Sequence, residues 1–486
     1  MMMKSSRVGM AALVMVIGAA GASVAQQPLT LKEAVAMAQK QGMLARAAVA
    51  TRDAARARDR SFGARLMPQL TLSGTAPSYD RSIIPVIQPD GSTLYTPLQQ
   101  TRSTAAMTLS QRLPFTGGLL GITSQLDRLQ ISGAQSRQTW SSTPVSVSLS
   151  QGIMRPNTVK WDTREQDIGA DLAERTYLEA REDIAAQTTS SFFDYYSAKI
   201  GLANAQANAL VNDTLYTLNK GRFEVGKIGE NDLLQSQLAL LRSRASLDGA
   251  KLEFDRAAAA LRLALNLPNG SAIEIAVPSS IPAIDADTAI AVVQALANRA
   301  SQLDLDLQRV RADRAINAAR LNNGLGATIN GSVGFNQTSP EVNGVYKDLL
   351  QAQRFSLGVQ IPIAQWGART SDIEAAKADR ERVESSARAT REQTMQDAHF
   401  GALQLTQARR NVEISATADT VAQKRYEVAY NRYVIGKIGM DNLYLAQTEK
   451  DGAVQQYVSA LRSYWAAYYR LRKVTLYDFE VGAPIH

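Results

Sequence analysis

Two stretches of this chain space their apolar residues with the period of an α-helix for far longer than a globular helix needs. In the first, Phe192, Tyr196, Ile200, Ala203, Ala207, Val211, Leu215 and Leu218 follow one another by threes and fours, one stripe along a helix. Further on the pattern becomes a heptad. Leu233, Leu240, Leu247, Phe254 and Leu261 fall seven apart, and their companions Ser236, Ser243, Ala250, Ala257 and Ala264 are all small. Moved by 210 positions, the same frame holds Leu443, Lys450, Tyr457, Tyr464 and Leu471, beside Ala446, Ala453, Ala460, Ala467 and Val474. Small residues every seven positions let two helices approach closely. No proline occurs between Pro156 and Pro268, or between Pro362 and Pro484. The pattern predicts helices from about Asn157 to Glu224 and from about Arg369 to Val434. Each would be roughly 100 Å long at 1.5 Å per residue, and each is followed by a returning helix.

Between helix and return stand "GRFEVGKIGENDLLQSQ" (221–237) and "NRYVIGKIGMDNLYLAQ" (431–447). Gly221, Gly226 and Lys227 match the spacing of a phosphate-binding loop, but that motif needs a preceding strand and a Ser or Thr where Ile228 stands. The second copy has Asn431 at the first glycine position. The stretches read as a repeated chain reversal, with Gly226, Lys227, Gly229 and Gly436, Lys437, Gly439 at the two turns.

The proline-bearing segments alternate with period two. Ala327, Ile329, Gly331, Val333 and Phe335 alternate with Thr328, Asn330, Ser332, Gly334 and Asn336; Phe355 to Ile363 and Leu70 to Ser73 behave likewise. Ala105, Met107, Leu109 and Leu113 share one face, and Val145, Val147 and Leu149 alternate with serines. A weaker strand is predicted around Leu119–Ile131. Runs apolar on one side and hydroxyl- or amide-bearing on the other suit a membrane barrel or a soluble sandwich with one wet face. Five clean strands and a weak one are too few to close a membrane barrel, and an open edge in hydrocarbon leaves backbone groups unpaired. If these strands are in lipid, several copies must share one barrel.

Composition narrows the compartment. Lys4 and Arg7 precede an apolar run from Val8 to about Ala22, and Ser23-Val24-Ala25 follows. This predicts a signal peptide over residues 1–25, with a mature start near Gln26. The chain has 486 residues and no cysteine, which removes disulfides, thiolate metal sites and an N-terminal lipid acceptor from consideration. Its net charge is +8, or +6 once Lys4 and Arg7 are lost. The basic residues are scattered among acidic ones, as on solvated helix faces, so no nucleic-acid partner is expected. The two histidines are His399, within a long helix and expected on its surface, and His486. No G-x-S-x-G, H-E-x-x-H or carboxylate cluster points to an enzyme, a cofactor or a metal.

The order of these features resembles the TolC-like outer-membrane efflux protein family over essentially the whole mature chain. The stretches that carry the resemblance are "LTLKEAVAMA", "LMPQLTLSG", "LSQRLPF", "VQIPIAQWG" and the two hairpin turns. It implies a mainly α fold of duplicated strand–helical-hairpin repeats, with a trimeric helical barrel continuous with a shared outer-membrane β-barrel. The repeats would span 26–267 and 289–476, with a linker at 268–288 and a tail at 477–486. It also implies a homotrimer in outer-membrane lipid, closed at its periplasmic tips. There it would meet a periplasmic adaptor and an inner-membrane pump, and conduct substrates outward without catalysis. By position, Asp232 and Tyr433 match a pair that holds such pores shut, while Asn442 and Leu445 stand where some members ring the pore with carboxylates, and Ile438 replaces a locking arginine. Asp232 is equally readable as the N-cap of the returning helix. The chain departs from the family in an additional hairpin, roughly Gly117 to Gln151. This would give six strands per copy and eighteen in a trimer, against the family's usual twelve, unless the hairpin folds over the pore or packs outside it. A periplasmic coiled-coil adaptor is the rival reading, but it would carry one helical hairpin rather than two.

Overall fold

The computed structural model describes residues 28–133, 136–278 and 281–485; the expected signal peptide and His486 lie outside them. In chain order the elements are β1 (Leu29–Thr30), α1 (Leu31–Gln41), α2 (Met43–Leu66), β2 (Gln69–Ile87), β3 (Thr93–Arg112), β4 (Leu119–Ser132), β5 (Arg137–Ile153), α3 (Thr158–Glu224) and α4 (Glu230–Leu265). There follow β6 (Ile275–Ala276), α5 (Thr288–Asn298), α6 (Ala300–Asn322), β7 (Gly326–Ser339), β8 (Leu350–Gln360), α7 (Ala368–Val434), α8 (Met440–Thr475), β9 (Tyr477–Asp478) and β10 (Ala483–Pro484).

The internal repeat is kept to the residue. Thr158, Glu224, Glu230 and Leu265 bound α3 and α4, and each lies 210 positions before its counterpart in α7 and α8. Even the two left-handed C-caps, Asn266 and Leu476, obey this shift. Earlier in each repeat the shift is 257, as from Leu31 to Thr288 and from Met43 to Ala300. The surplus of 47 positions falls between α2 and α3, where the first repeat has four strands and the second has two. The hairpin β4–β5 is thus an insertion without a counterpart.

At 67 residues each, α3 and α7 run the full length of the helical part. Towards the sheet they are flanked by α2 and α6, in the order α2–α3–α6–α7; towards the tips the order is α4–α3–α8–α7. The main core lies at the waist, where Leu31, Phe192, Phe193, Leu261, Tyr464, Trp465 and Leu471 meet. Here Arg472 donates to both oxygens of the buried Glu182 at 2.9 and 3.2 Å and to Asp478 at 2.6 Å, holding the C-terminal tail. Desolvation pushes the Glu182 carboxyl up, against the pull of Arg472. The heptad frame of α4 and α8 faces inward as expected, although by its fourth repeat in α4 burial has moved one residue on, to Ala258 and Leu265. An untwisted helix drifts about 20° per heptad.

The apolar stripe expected along α3 is not buried throughout. Ala203, Ala207 and Leu218 are exposed, and the hidden face is Ala205, Asn212, Leu215 and Asn219. Asn219 can occupy a core position there because Tyr433 of α7 and Met440 of α8 supply partners for it. Outward-facing apolar residues also recur: Ile414, Val421 and Val428 on α7 and Ile435 at its C-cap fall seven apart, and Leu234, Leu238, Leu241 and Leu252 lie exposed on α4.

All six long strands form one antiparallel sheet in the order β2–β3–β4–β5–β7–β8. The hairpin expected at Gly117 to Gln151 neither folds over nor packs outside; β4 and β5 are inner strands of this sheet. Its register places Leu70, Leu109, Ile122, Val147 and Val333 in one row across five strands. The adjacent row, on the opposite face, reads Thr71, Thr108, Thr123, Ser146 and Gly334. The strands differ from expectation at two places. β8 ends at Gln360 rather than Ile363, since Pro362 has no N–H for the ladder. β2 and β3 continue past the others as a two-stranded arm to Ile87 and Thr93, with Pro77 accommodated at a bulge between Thr75 and Ser78.

Candidate functional site: the hairpin tips

The two tip turns are built alike. Gly226 and Gly436 have φ of +72° and +73°, a conformation that costs other residues about 1–2 kcal/mol. In the first tip, Lys227 N–H donates to Arg222 O at 2.8 Å and Gly226 N–H to Phe223 O at 2.9 Å; Lys437 and Gly436 repeat both bonds on Arg432 and Tyr433. This is the paired bonding that ends a helix on a left-handed residue. Gly229 and Gly439 have extended backbones and open α4 and α8. Lys227 and Lys437 are exposed at the apex of each turn.

Asp232 is therefore not an N-cap. The helix begins at Glu230, and Asp232 sits exposed in its first turn, where a carboxylate still complements the helix dipole. The reason is the extended Gly229, which lets the helix start three residues earlier than an aspartate cap at 232 allows.

Tyr433 is the centre of the tip. It is 5 % exposed and packs with Leu215, Met440 and Leu443. Its hydroxyl donates to Asn219 Oδ1 of α3 at 2.9 Å, and Asn219 Nδ2 donates to Met440 Sδ at 3.7 Å. The Arg222 guanidinium stands 5.6 Å from the Tyr433 ring centroid and donates to Val434 O at 3.2 Å. Within one copy, Tyr433 thus ties α7 to α3 through Asn219 rather than through Asp232. Sequence reasoning did not single out Asn219, which lies 214 positions away. Its counterpart 210 positions on is Ala429, and the counterpart of Tyr433 is Phe223, so the polar pair that joins the two hairpins has no repeat-related copy within the chain. A hydroxyl in an otherwise apolar cluster needs a buried partner, and that was the available signal.

Phe223 is 40 % exposed where Tyr433 is buried. Asn442 and Leu445 of α8 are both exposed, beside the buried Leu443 and Ala446. Gln235 of α4 donates to Asp441, and Asn208 of α3 donates to Asp451 at 2.6 Å. A polar cavity of ≈ 360 Å³ between α3, α4 and α8 is lined in part by Asn208, Asn212, Gln235 and Tyr444. Burial pushes the Tyr444 hydroxyl above its ordinary range. His399 is exposed on α7, as expected. Among the described residues no helix is long and apolar enough to cross a membrane, and no cluster of His, Cys, Asp or Glu could hold a metal.

No protein of curated function matches this chain in sequence. Solved structures do match its fold. The Campylobacter jejuni CmeC outer membrane channel is 16 % identical over 94 % of this chain and 87 % of its own, with a TM-score of 0.67. The outer membrane protein VceC of Vibrio cholerae is 12 % identical over 92 % and 96 %, with a TM-score of 0.64. The open state of the Neisseria gonorrhoeae MtrE outer membrane channel is 14 % identical over 92 % and 88 %, with a TM-score of 0.59. The model of the outer membrane efflux protein family matches residues 95–267 and 291–475, a span that takes in five of the six long strands and both helical hairpins. With the paired tips and the long hairpins already described, this match makes the chain a member of the outer membrane efflux protein family, a TolC-like channel of the outer membrane with a long periplasmic helical extension.

Proposed function

We propose that three copies of this chain form the exit duct of a tripartite efflux or type I secretion system, passively carrying substrates from an inner-membrane pump through periplasm and outer membrane. The observation that carries the reading is the unfinished state of a single copy. β2 and β8 each leave one long edge unpaired among the described residues, and one face of the sheet is largely apolar in the half next to the helices. Such edges cannot stand open in lipid. The helices are unfinished in the same way. The exposed row on α7 and the exposed leucines of α4 lie at opposite ends of the order α4–α3–α8–α7, so α4 of one copy suits α7 of the next. Phe223, exposed at the tip where its counterpart is buried, would be covered at that seam.

The tips would meet a periplasmic adaptor through Gly226, Lys227, Gly229, Gly436, Lys437 and Gly439. Tyr433 and Asn219 would hold the resting pore closed, with Asn442 and Leu445 on the face available to line it. Asp232 remains a candidate only for a contact between copies. Mass measurement of the detergent-solubilised protein by light scattering tests the reading: a trimer from the outer-membrane fraction is expected, and a monodisperse, water-soluble monomer would end it.

A further inference from the structure

We infer that all six strands of each copy enter the membrane wall, so that the trimer closes an eighteen-stranded barrel as wide as the helical cylinder beneath it and exports bulky solutes without a constriction at the membrane. The inference rests on the trimeric reading above and adds to it the number of strands, the bore and the size class of solute.

The inserted hairpin has the chemistry of a wall. Ile122 of β4 and Val145, Val147 and Leu149 of β5 share a face and are 39–43 % exposed, in the range of Leu109 and Phe335 on the flanking strands. No α-helix packs extensively on either strand, and the short 3-10 turn Gly344–Tyr346 covers β5 only near Ser142. The apolar face is continuous with Leu70 and Leu72 at one edge and with Phe355, Leu357 and Val359 at the other, all exposed. Fully exposed Phe115, Ile363 and Trp366 cluster in the turns next to the helices. Trp140 and Arg128 meet on the same face at the far end of β4 and β5. Aromatic residues at both margins of an apolar band mark the two interfaces of a membrane. On the other face Thr71, Thr108, Thr123 and Ser146 line up with Ser148 and Asn330, and the charges Arg102 and Asp127 pair at 3.1 Å. That is a wetted, weakly charged lumen.

Topology permits the count. Six strands alternate in direction, so β8 of one copy meets β2 of the next antiparallel, and the closing pairs repeat the pattern of the others. The insertion begins and ends on the helix side, between β3 and α3, and so adds strands without moving any helix.

The dimensions agree. Eighteen strands about 4.8 Å apart and tilted about 40° make a barrel about 36 Å across between strand axes, against about 24 Å for twelve. Twelve helices, four from each copy, spaced about 9–10 Å give a cylinder about 34–38 Å across. Taking about 5 Å from each wall for side chains, half the spacing of packed sheets, leaves bores of about 26 Å and about 14 Å. At that same tilt, two strands in each repeat would give a wall narrower than the helical cylinder. With the insertion the wall is not narrower. A bore of that size admits polypeptides and bulky amphiphiles as well as small solutes.

The absence of cysteine makes the test clean. Trimer mass is measured first, so that loss of the trimeric reading is recognised separately. In intact cells, Thr123→Cys and Ser148→Cys are expected to react with a membrane-impermeant maleimide. Ile122→Cys and Val147→Cys are expected to react only with a lipid-soluble reagent, like Leu109→Cys. Equal aqueous reactivity of both faces, in an intact trimer, overturns the wall assignment. Asn330→Cys then gauges the bore from the inner end of the lumen. It is expected to react with a maleimide on a polymer about 20 Å across, and to react at least tenfold more slowly when residues 114–151 are deleted. Exclusion of that polymer from the undeleted trimer, while a small maleimide still reacts, overturns the bore. If the deletion does not assemble, the labelling of the two faces and the polymer result on the undeleted trimer still decide.

Discussion

Tyr433→Phe deletes one hydroxyl from the tip and leaves everything else in place. Tyr433 and Asn219 are 5 % and 2 % exposed, so water does not replace the lost donor. A buried acceptor left unpaired costs about 1–3 kcal/mol, more than the net worth of the bond itself. If the three copies open together, the closed state loses about 3–9 kcal/mol relative to an open state in which Asn219 is hydrated. At about 1.4 kcal/mol per tenfold change, even the lower figure shifts the closed-to-open ratio about a hundredfold. Single-channel conductance in planar bilayers is expected to rise, and cells are expected to become sensitive to vancomycin-sized solutes. Two further variants give the test its edge. Asn219→Leu with Tyr433→Phe removes both polar groups, which is nearly neutral for a buried pair, and is expected to restore low conductance. Asp232→Ala, an exposed first-turn residue, is expected to leave conductance unchanged. The reasoning is refuted if Asp232→Ala opens the channel as far as Tyr433→Phe does, or if Tyr433→Phe alone changes nothing in an intact trimer.

Three other perturbations probe the frame around the tip. Ala446 is 1 % exposed in the tight seam of α8, and Ala446→Leu is expected to cost about 1–3 kcal/mol of overpacking, read as a lower thermal midpoint with trimer mass unchanged. Arg472→Met leaves the Glu182 carboxylate buried and unpaired, a loss of about 3–5 kcal/mol; limited proteolysis should show the C-terminal tail released first. Desolvation raises the folded-state pKa of Glu179 and of Glu182 above that of a free glutamate side chain. The folded protein therefore holds protons there that the unfolded chain has released, and stability from these groups is full below about pH 4.5 and falls as pH rises through the raised values. A Glu179→Gln variant should show a flatter dependence of thermal midpoint on pH over that window, and an unchanged slope would remove Glu179 from the account.

The long helices were legible to within a residue, because proline is absent and apolar residues recur by threes and fours over dozens of positions. The duplicated turns were legible because Gly226 and Gly436 satisfy a backbone requirement that few other residues meet. What the sequence hid has physical causes. Asn212 and Asn219 sit in the core of α3, where a pattern built on apolar residues passes them over and chooses Ala203, Ala207 and Leu218 instead. The bond from Tyr433 to Asn219 joins positions 214 apart, and no local spacing reports it. Asp232 looked like a cap because aspartate favours that role, yet the extended Gly229 had already opened the helix. β4 read weakly because its alternation reverses past Leu126: Arg128, beside Trp140, and Gln130 stand on the apolar face, and Leu129 and Ile131 on the face where Asp127 pairs with Arg102.

The placement of the inserted hairpin also says how a duct of this kind can change size over generations. A segment that leaves the helix side, crosses and returns to the same side can be gained or lost as a unit, because its two ends are neighbours and the helices downstream keep their 210-residue registration. Threefold repetition multiplies each such event, so strand number moves by six at a time and the circumference by about 38 Å at a strand spacing of about 4.8 Å and a tilt of about 40°. Bore in this architecture is therefore a stepped quantity. A lineage does not drift from narrow to wide through intermediate barrels; it jumps, and the helical tips at the far end need not change.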